Sequence, residues 1–223
     1  MPSSTVENYL KRIFLEQQAE PTGDIVSMKN LAGAMGVTAG TATSMAKSLA
    51  DSKLVAYEPY GGVKLTARGR TVALRVLRRH RLIECLLVEA LGLDWSEVHD
   101  EAEKLEHAIS DKLLDRIDEF LGFPSVDPHG DPIPTAGGEI RHSALTALTE
   151  VEQGAEVRIA RVLDQDEQFL RFVDRHMLRP GTRARVLVQD HAAEAVTVQS
   201  GKLPAVTMGR TAAAKIMVEL IKG

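Results

Sequence analysis

The chain has 223 residues, 44% hydrophobic, 4% aromatic and 26% charged, which describes a globular protein of one large domain or two smaller ones with a mainly aliphatic core. No apolar run approaches the roughly 20 residues that cross a bilayer, the opening Met-Pro-Ser-Ser-Thr-Val-Glu lacks the regions of a secretory signal, and the one cysteine excludes an intramolecular disulfide framework; a cytoplasmic protein with no membrane partner is expected. The net charge of −4 hides an asymmetry, since residues 1–81 hold 12 Lys and Arg against 6 Asp and Glu, a balance of +6, and the remainder carries −10. A basic amino-terminal third on an acidic body fits a phosphate-binding module joined to a cation-binding one.

Leu10, Ile13, Phe14 and Leu15 form an apolar stripe on a first helix from about Val6 to Ala19. The segment Glu20 to Asp24, with Pro21 and Gly23, predicts a turn. Ser27 caps a short helix from Met28 to Met35 that turns Leu31, Ala32 and Met35 inward, Gly36 and Val37 make a tight turn, and Thr38 caps a second helix running to about Ser52. Leu54–Tyr57 and Val63–Thr66 read as strands joined by Glu58-Pro-Tyr-Gly-Gly, completing a winged helix-turn-helix in residues 1–75. The second helix of such a module enters the major groove. Here Ala42, Met45, Ala46 and Leu49 face inward, while Thr38, Gly40, Thr41, Ser44, Lys47 and Ser48 face double-stranded DNA, joined by Ser27 and the wing residue Tyr60. That outer face is small and polar, suited to phosphate hydrogen bonds and thymine-methyl contacts. It has no arginine to pair with guanine, so DNA shape must carry much of the sequence preference.

A long helix is expected from Ala67 to about Leu91, and another from Trp95-Ser-Glu to about Phe120, capped by Ser96, with Val98, Ala102, Leu105, Ile109, Leu113 and Ile117 on its apolar side. Cys85, in the apolar stretch Leu82 to Leu91, reads as a small buried hydrophobe. Residues 123–138 hold four prolines and three glycines, too many breakers for an element, so residues 76–145 read as a helical domain ending in an irregular segment. Over residues 150–223, Val157–Val162, Arg183–Val188 and Ala195–Val198 alternate apolar and polar side chains between glycines, which predicts a small β-barrel interrupted by one helix from Glu167 to Met177. The fold class is mainly α with a carboxy-terminal all-β domain.

The chemistry lies in the central helices. His99, Glu103, Glu106 and His107 stand at offsets 0, 4, 7 and 8, one face of a continuous helix, and His80 and Glu84 stand at i and i+4 on the helix before it. Such imidazoles and carboxylates are donors for a divalent transition metal, and two packed helices can share them between two sites. A lone His-x-x-x-Glu pair is more often a solvated face. Its repetition turns the reading to metal.

The blocks Val37-Thr-Ala-Gly-Thr-Ala-Thr-Ser-Met, Leu54-Val-Ala-Tyr-Glu-Pro-Tyr-Gly-Gly-Val-Lys-Leu-Thr, Arg79-His-Arg-Leu-Ile-Glu, His99-Asp-Glu-Ala-Glu and Glu106-His-Ala-Ile-Ser-Asp, with the Pro-His-Gly-Asp-Pro-Ile-Pro stretch at 128–134, resemble the diphtheria toxin repressor family of metal-dependent transcriptional regulators over essentially the whole chain. The resemblance implies a homodimer with an amino-terminal winged helix, a central metal-binding and dimerisation domain and a carboxy-terminal SH3-like domain. It implies no enzyme but a repressor that binds operator DNA when loaded with two or more divalent ions per subunit, controlling metal uptake and homeostasis genes. His80, Glu84 and His99 match the family's ancillary site. Glu106 and His107 match its regulatory site, whose other positions hold Asn8 and Glu103. Iron-responsive members place cysteine at the position of Glu103 and methionine at that of Asn8, and manganese-responsive members place carboxylates at both. With one carboxylate and one amide, Mn2+ is expected and Fe2+ is the alternative. The carboxy-terminal domain of these repressors can also reach the ancillary ion, which implies Asp164 and Gln168 as donors, with His129 added from the proline-rich stretch.

Two other functions compete. Carboxylate-bridged metal pairs also serve hydrolases and oxygen-activating enzymes, a reading that leaves the winged helix without a role. The SH3-like domain also resembles one used alongside bacterial ferrous iron transport, which suggests a metal-buffering or transport-accessory protein. Metal-dependent operator binding without turnover separates the repressor from both.

Overall fold

The computed structural model describes residues 3–19, 25–141 and 143–221, so the turn expected over Glu20 to Asp24 lies outside the described residues. The chain divides into two units, one comprising Met1–His80, Glu106–Ile109 and Pro134–Glu139, the other Arg81–Leu105, Ser110–Ile133 and Ile140–Gly223. No described helix is long and apolar enough to cross a membrane.

In the first unit, α1 (Ser4–Ala19) buries Leu10, Ile13 and Phe14, and α2 (Met28–Ala34) and α3 (Ala39–Asp51) bury Leu31, Ala42, Ala46 and Leu49. Each such large aliphatic or aromatic side chain contributes about 1.5–3 kcal/mol when fully withdrawn from water. The Ser27 hydroxyl accepts from the Asn30 amide at 3.0 Å, and Thr38 Oγ1 accepts from the Thr41 amide at 3.2 Å, so both predicted caps form. The α2 helix stops one residue short of Met35, which is half-buried. Strands β1 (Val55–Glu58) and β2 (Gly62–Leu65) pair antiparallel as the wing. At Gly62, with φ +126°, a Cβ would stand 2.5 Å from the Val26 carbonyl, and only glycine lets Val26 bridge Val63 there. Helix α4 (Ala67–Cys85) follows, and the division between units falls within it, after His80.

In the second unit α4 runs into a π-helical turn, Leu86–Ala90, where an unbroken α-helix to Leu91 is expected. The single helix expected from Ser96 to Phe120 is corrected to two, α5 (Val98–Leu105) and α6 (Asp111–Phe120). Ser96 does not cap the first of these, since its amide and hydroxyl both donate to Asp94 Oδ1, at 2.8 and 2.6 Å. The second has its own cap, Ser110, whose hydroxyl accepts from the Leu113 amide at 3.3 Å. Ile117 is buried as expected, but Leu105 and Leu113 face outward and Leu114 is buried beside Ile117.

The segment at 123–138 is irregular but not loose. Val126 bridges Pro132, and Asp127, His129 and Asp131 are buried. Gly130, at φ +86°, lies where a Cβ would meet the Ala160 carbonyl at 2.0 Å, and the neighbouring His129 carbonyl accepts from the Val162 amide at 2.8 Å. The carboxy-terminal domain is a six-stranded antiparallel sheet, β3 (Thr146–Ala147), β4 (Glu156–Val162), β5 (Arg183–Asp190), β6 (Ala195–Ser200), β7 (Val206–Gly209) and β8 (Ile216–Leu220), in the order β3-β8-β4-β5-β6-β7. Helix α7 (Glu167–Arg175) adds Leu170 and Val173 to its core, and Trp95 from the helical part is buried in the same core.

Candidate metal centres

In the first unit the break after α5 delivers Glu106 and His107 to α1. Glu106 is wholly buried, and both its oxygens accept from Lys11 Nζ, at 2.7 and 2.8 Å. His80 Nδ1 donates to Glu106 Oε2 at 2.7 Å, which puts the lone pair of the neutral ring on Nε2. Burial alone would raise the Glu106 carboxyl, but the His80 hydrogen bond and the Lys11 charge outweigh it and hold the group below its ordinary value. His107 faces Glu7 Oε2 through Nδ1 and Asn8 Oδ1 through Nε2, each at 2.7 Å, and its Nε2 is 3.2 Å from Glu106 Oε1. Arg79 stands 3.8 Å from Glu7. Asn8, Glu106 and His107 thus come together, with Glu7 and Lys11 added.

The second unit holds Glu84, Asp127 and His129, all buried, with one ligand atom of each within 4.8 Å of the others. His129 Nε2 donates to the Trp95 carbonyl at 2.9 Å, fixing the tautomer. Its Nδ1 is buried with no hydrogen-bond partner, 4.0 Å from Glu84 Oε2 and 3.9 Å from Asp127 Oδ1. A lone pair left bare between two carboxylates is costly without an electrophile, and one nitrogen with carboxylate oxygens is a donor set that fits a divalent ion. Burial, then the charges of Asp131 and Glu84, push the Asp127 carboxyl well above its ordinary value. His99 Nδ1 lies 3.4 Å from Glu84 Oε1, and His99 Nε2 lies 3.9 Å from the exposed Glu103.

Two other expected donors lie in the same unit. Asp164 accepts from Lys215 and from the Asp166 amide, and Gln168 is exposed on α7. His99, Glu103, Glu106 and His107 do not share the face of one continuous helix, because α5 ends at Leu105, and Glu106 and His107 belong to the first unit. Cys85 is buried, with Sγ 3.7 Å from the Val126 carbonyl, and burial raises its thiol far above the ordinary range, as suits an inert side chain. The residues missed by sequence reasoning are Glu7, Lys11 and Asp127. An Asp-x-His pair inside a proline-rich stretch was a usable signal for Asp127, since such a stretch has no helical face on which to be solvated.

The residues expected to meet DNA, Ser27, Thr38, Gly40, Thr41, Ser44, Lys47, Ser48 and Tyr60, are all exposed. Tyr60, at the wing tip, adopts φ +64°.

Three domain families match: the iron dependent repressor N-terminal DNA binding domain over residues 1–63, the iron dependent repressor metal binding and dimerisation domain over 66–135, and the FeoA domain over 146–220. An uncharacterised HTH-type transcriptional regulator of Methanocaldococcus jannaschii is 39% identical over 121 residues, 53% of this chain and 94% of the relative. The iron-dependent repressor IdeR of Mycobacterium leprae is 39% identical over 104 residues, 44% of this chain, and this match spans 45% of the relative's length. A solved manganese-dependent transcriptional repressor in complex with manganese superposes with a TM-score of 0.87 at 42% identity, covering 97% of this chain and all of the other.

Proposed function

Because the chain belongs to the diphtheria toxin repressor family of metal-dependent transcriptional regulators, we propose that it binds operator DNA as a homodimer when loaded with divalent metal, Mn2+ in the first place and Fe2+ as the alternative, and so represses genes of metal uptake and homeostasis. The observation that carries the metal dependence is the bare Nδ1 of His129 aimed at Glu84 and Asp127. By resemblance His80 and His99 join the ancillary set, Asn8, Glu103, Glu106 and His107 make the regulatory one, and Asp164 and Gln168 stay proposed donors on the same ground. A divalent cation held at either set supplies positive charge that offsets the gathered carboxylates.

The protein's own residues then account for coupling to DNA. His107 ties residues 106–109 to α1 through Glu7 and Asn8, and α1 packs on α2 and β2 of the winged helix. A change at Glu106 and His107 therefore reaches α1, and through it the element that precedes the recognition helix α3, as a shift between two populations. The side chains that then meet DNA are Thr38, Thr41, Ser44, Lys47 and Ser48 on or before α3, with Ser27 and Tyr60 beside them.

Oxygen and nitrogen donors without sulfur support manganese, since hard ligands suit it. The likeness to a manganese-dependent repressor supports it further. Leu91, Leu113, Phe120 and Phe123, large apolar side chains exposed on the second unit, support a homodimer interface. The domain division proposed is 1–75, 76–145 and 150–223. The relatives are repressors, and the enzyme reading is set aside. Binding of labelled operator against a series of metals at buffered free concentration tests the choice of ion. Manganese is expected to activate operator binding, and activation by ferrous iron alone would reverse the order.

A further inference from the structure

Lys11 has no place in the metal reading so far, yet it occupies the centre of one of the two sites. Its side chain is buried, and its ammonium makes two hydrogen bonds to the carboxylate of Glu106, itself wholly buried. An ammonium placed this way contacts the same two oxygens that a cation would use. Other groups gather on the same carboxylates. Glu106 meets Lys11 and His80, and Glu7 meets Arg79 and His107. A divalent ion added to a buried carboxylate that already holds an ammonium would crowd positive charge in a medium that screens it poorly.

We propose that Lys11 is a resident cation of the Glu106 pocket, which a divalent ion must displace, so that Lys11 sets the metal concentration at which the regulatory site fills. The proposal rests on reading Glu106 and His107 as metal donors. Its physical content is a competition for one carboxylate. In the metal-free protein the ammonium satisfies Glu106 and keeps the pocket closed to weak cations. On binding, the Lys11 side chain withdraws, and its four-carbon stem is long enough to carry the ammonium towards solvent from α1. Hydrogen bonds to a charged partner contribute about 1.5–3 kcal/mol net, so the competition lowers metal affinity about tenfold or more.

Two measurements on the full-length protein test this. The first follows amine acetylation of wild-type Lys11 by mass spectrometry, without metal and with saturating Mn2+. Lys11 is expected to be protected without metal and to become reactive with it; continued protection overturns the proposal. The second measures Mn2+ affinity from the paramagnetic resonance of free Mn2+. Lys11→Met should bind about tenfold more tightly or better at one site per subunit, and Lys11→Arg, which keeps the charge, should stay near wild type. Equal or weaker binding by Lys11→Met overturns the proposal. The acetylation measurement needs no variant and decides the matter if Lys11→Met does not fold. His107→Ala separates the two levels, because full metal stoichiometry in that variant removes the regulatory-site reading itself, whereas loss of one ion alongside an unshifted Lys11→Met removes only the role of Lys11.

Discussion

His107 joins residues a hundred positions apart, with Glu7 on one ring nitrogen and Asn8 on the other. The half-buried ring carries little of the core, so His107→Ala should leave a folded protein that no longer binds operator at a manganese concentration that saturates the wild type; retained binding in a gel-shift titration would remove His107 from the switch. Glu106→Ala is a harsher change. It removes the carboxylate that accepts both Lys11 hydrogen bonds, and breaking a buried pair costs up to about 3–5 kcal/mol, readable as a lowered urea midpoint in the metal-free protein. Asp127→Asn should lower Mn2+ stoichiometry by one ion per subunit in equilibrium dialysis, since it removes a carboxylate facing His129. Of these residues Asn8, His80, Glu84, Glu106, His107 and His129 were legible in the sequence through motif and resemblance. Glu7, Lys11 and Asp127 were not, because what they touch depends on where two distant stretches meet, and no local spacing encodes that.

At the scale of elements, the central helices show why the pattern misled. Leu105, Ile109, Leu113 and Ile117 keep a spacing of four residues straight across the break, so periodicity alone reads one helix. Two local terms oppose it. Ser110 offers a side-chain cap, and Glu106, in the break, makes a buried ion pair with Lys11. Ser110→Ala should cost about 1 kcal/mol by thermal unfolding, the ordinary worth of such a cap, and no loss would mean that the break is held by Glu106 alone. Caps at Ser27 and Thr38 were readable because Gly36 marks the turn between their helices at the same place. On α3, Lys47 is exposed and should meet phosphate. Lys47→Ala should weaken all duplexes alike and reduce the salt slope by about one unit per side chain, and an unchanged slope would move Lys47 off the backbone.

For the whole molecule, a homodimer with two winged helices should read a pseudo-palindromic operator, because two-fold protein symmetry imposes two-fold symmetry on the site. Phe120, 71% exposed, is among the largest apolar side chains on the second unit, and Phe120→Asp should shift the sedimentation coefficient towards a monomer if that face carries the interface. The small sheet domain was legible from its alternation and glycines, while the burial of Trp95 in its core was not, since one aromatic in a connecting segment gives no sign of which core it joins. Metal is expected to make this chain bind DNA. Fluorescence anisotropy of a labelled operator duplex, titrated with the dimer at buffered free Mn2+ and again with chelator, tests it most directly. Affinity is expected to fall about 100-fold when metal is withdrawn, within the usual range of coupling between two sites, and equal affinity under both conditions would contradict it.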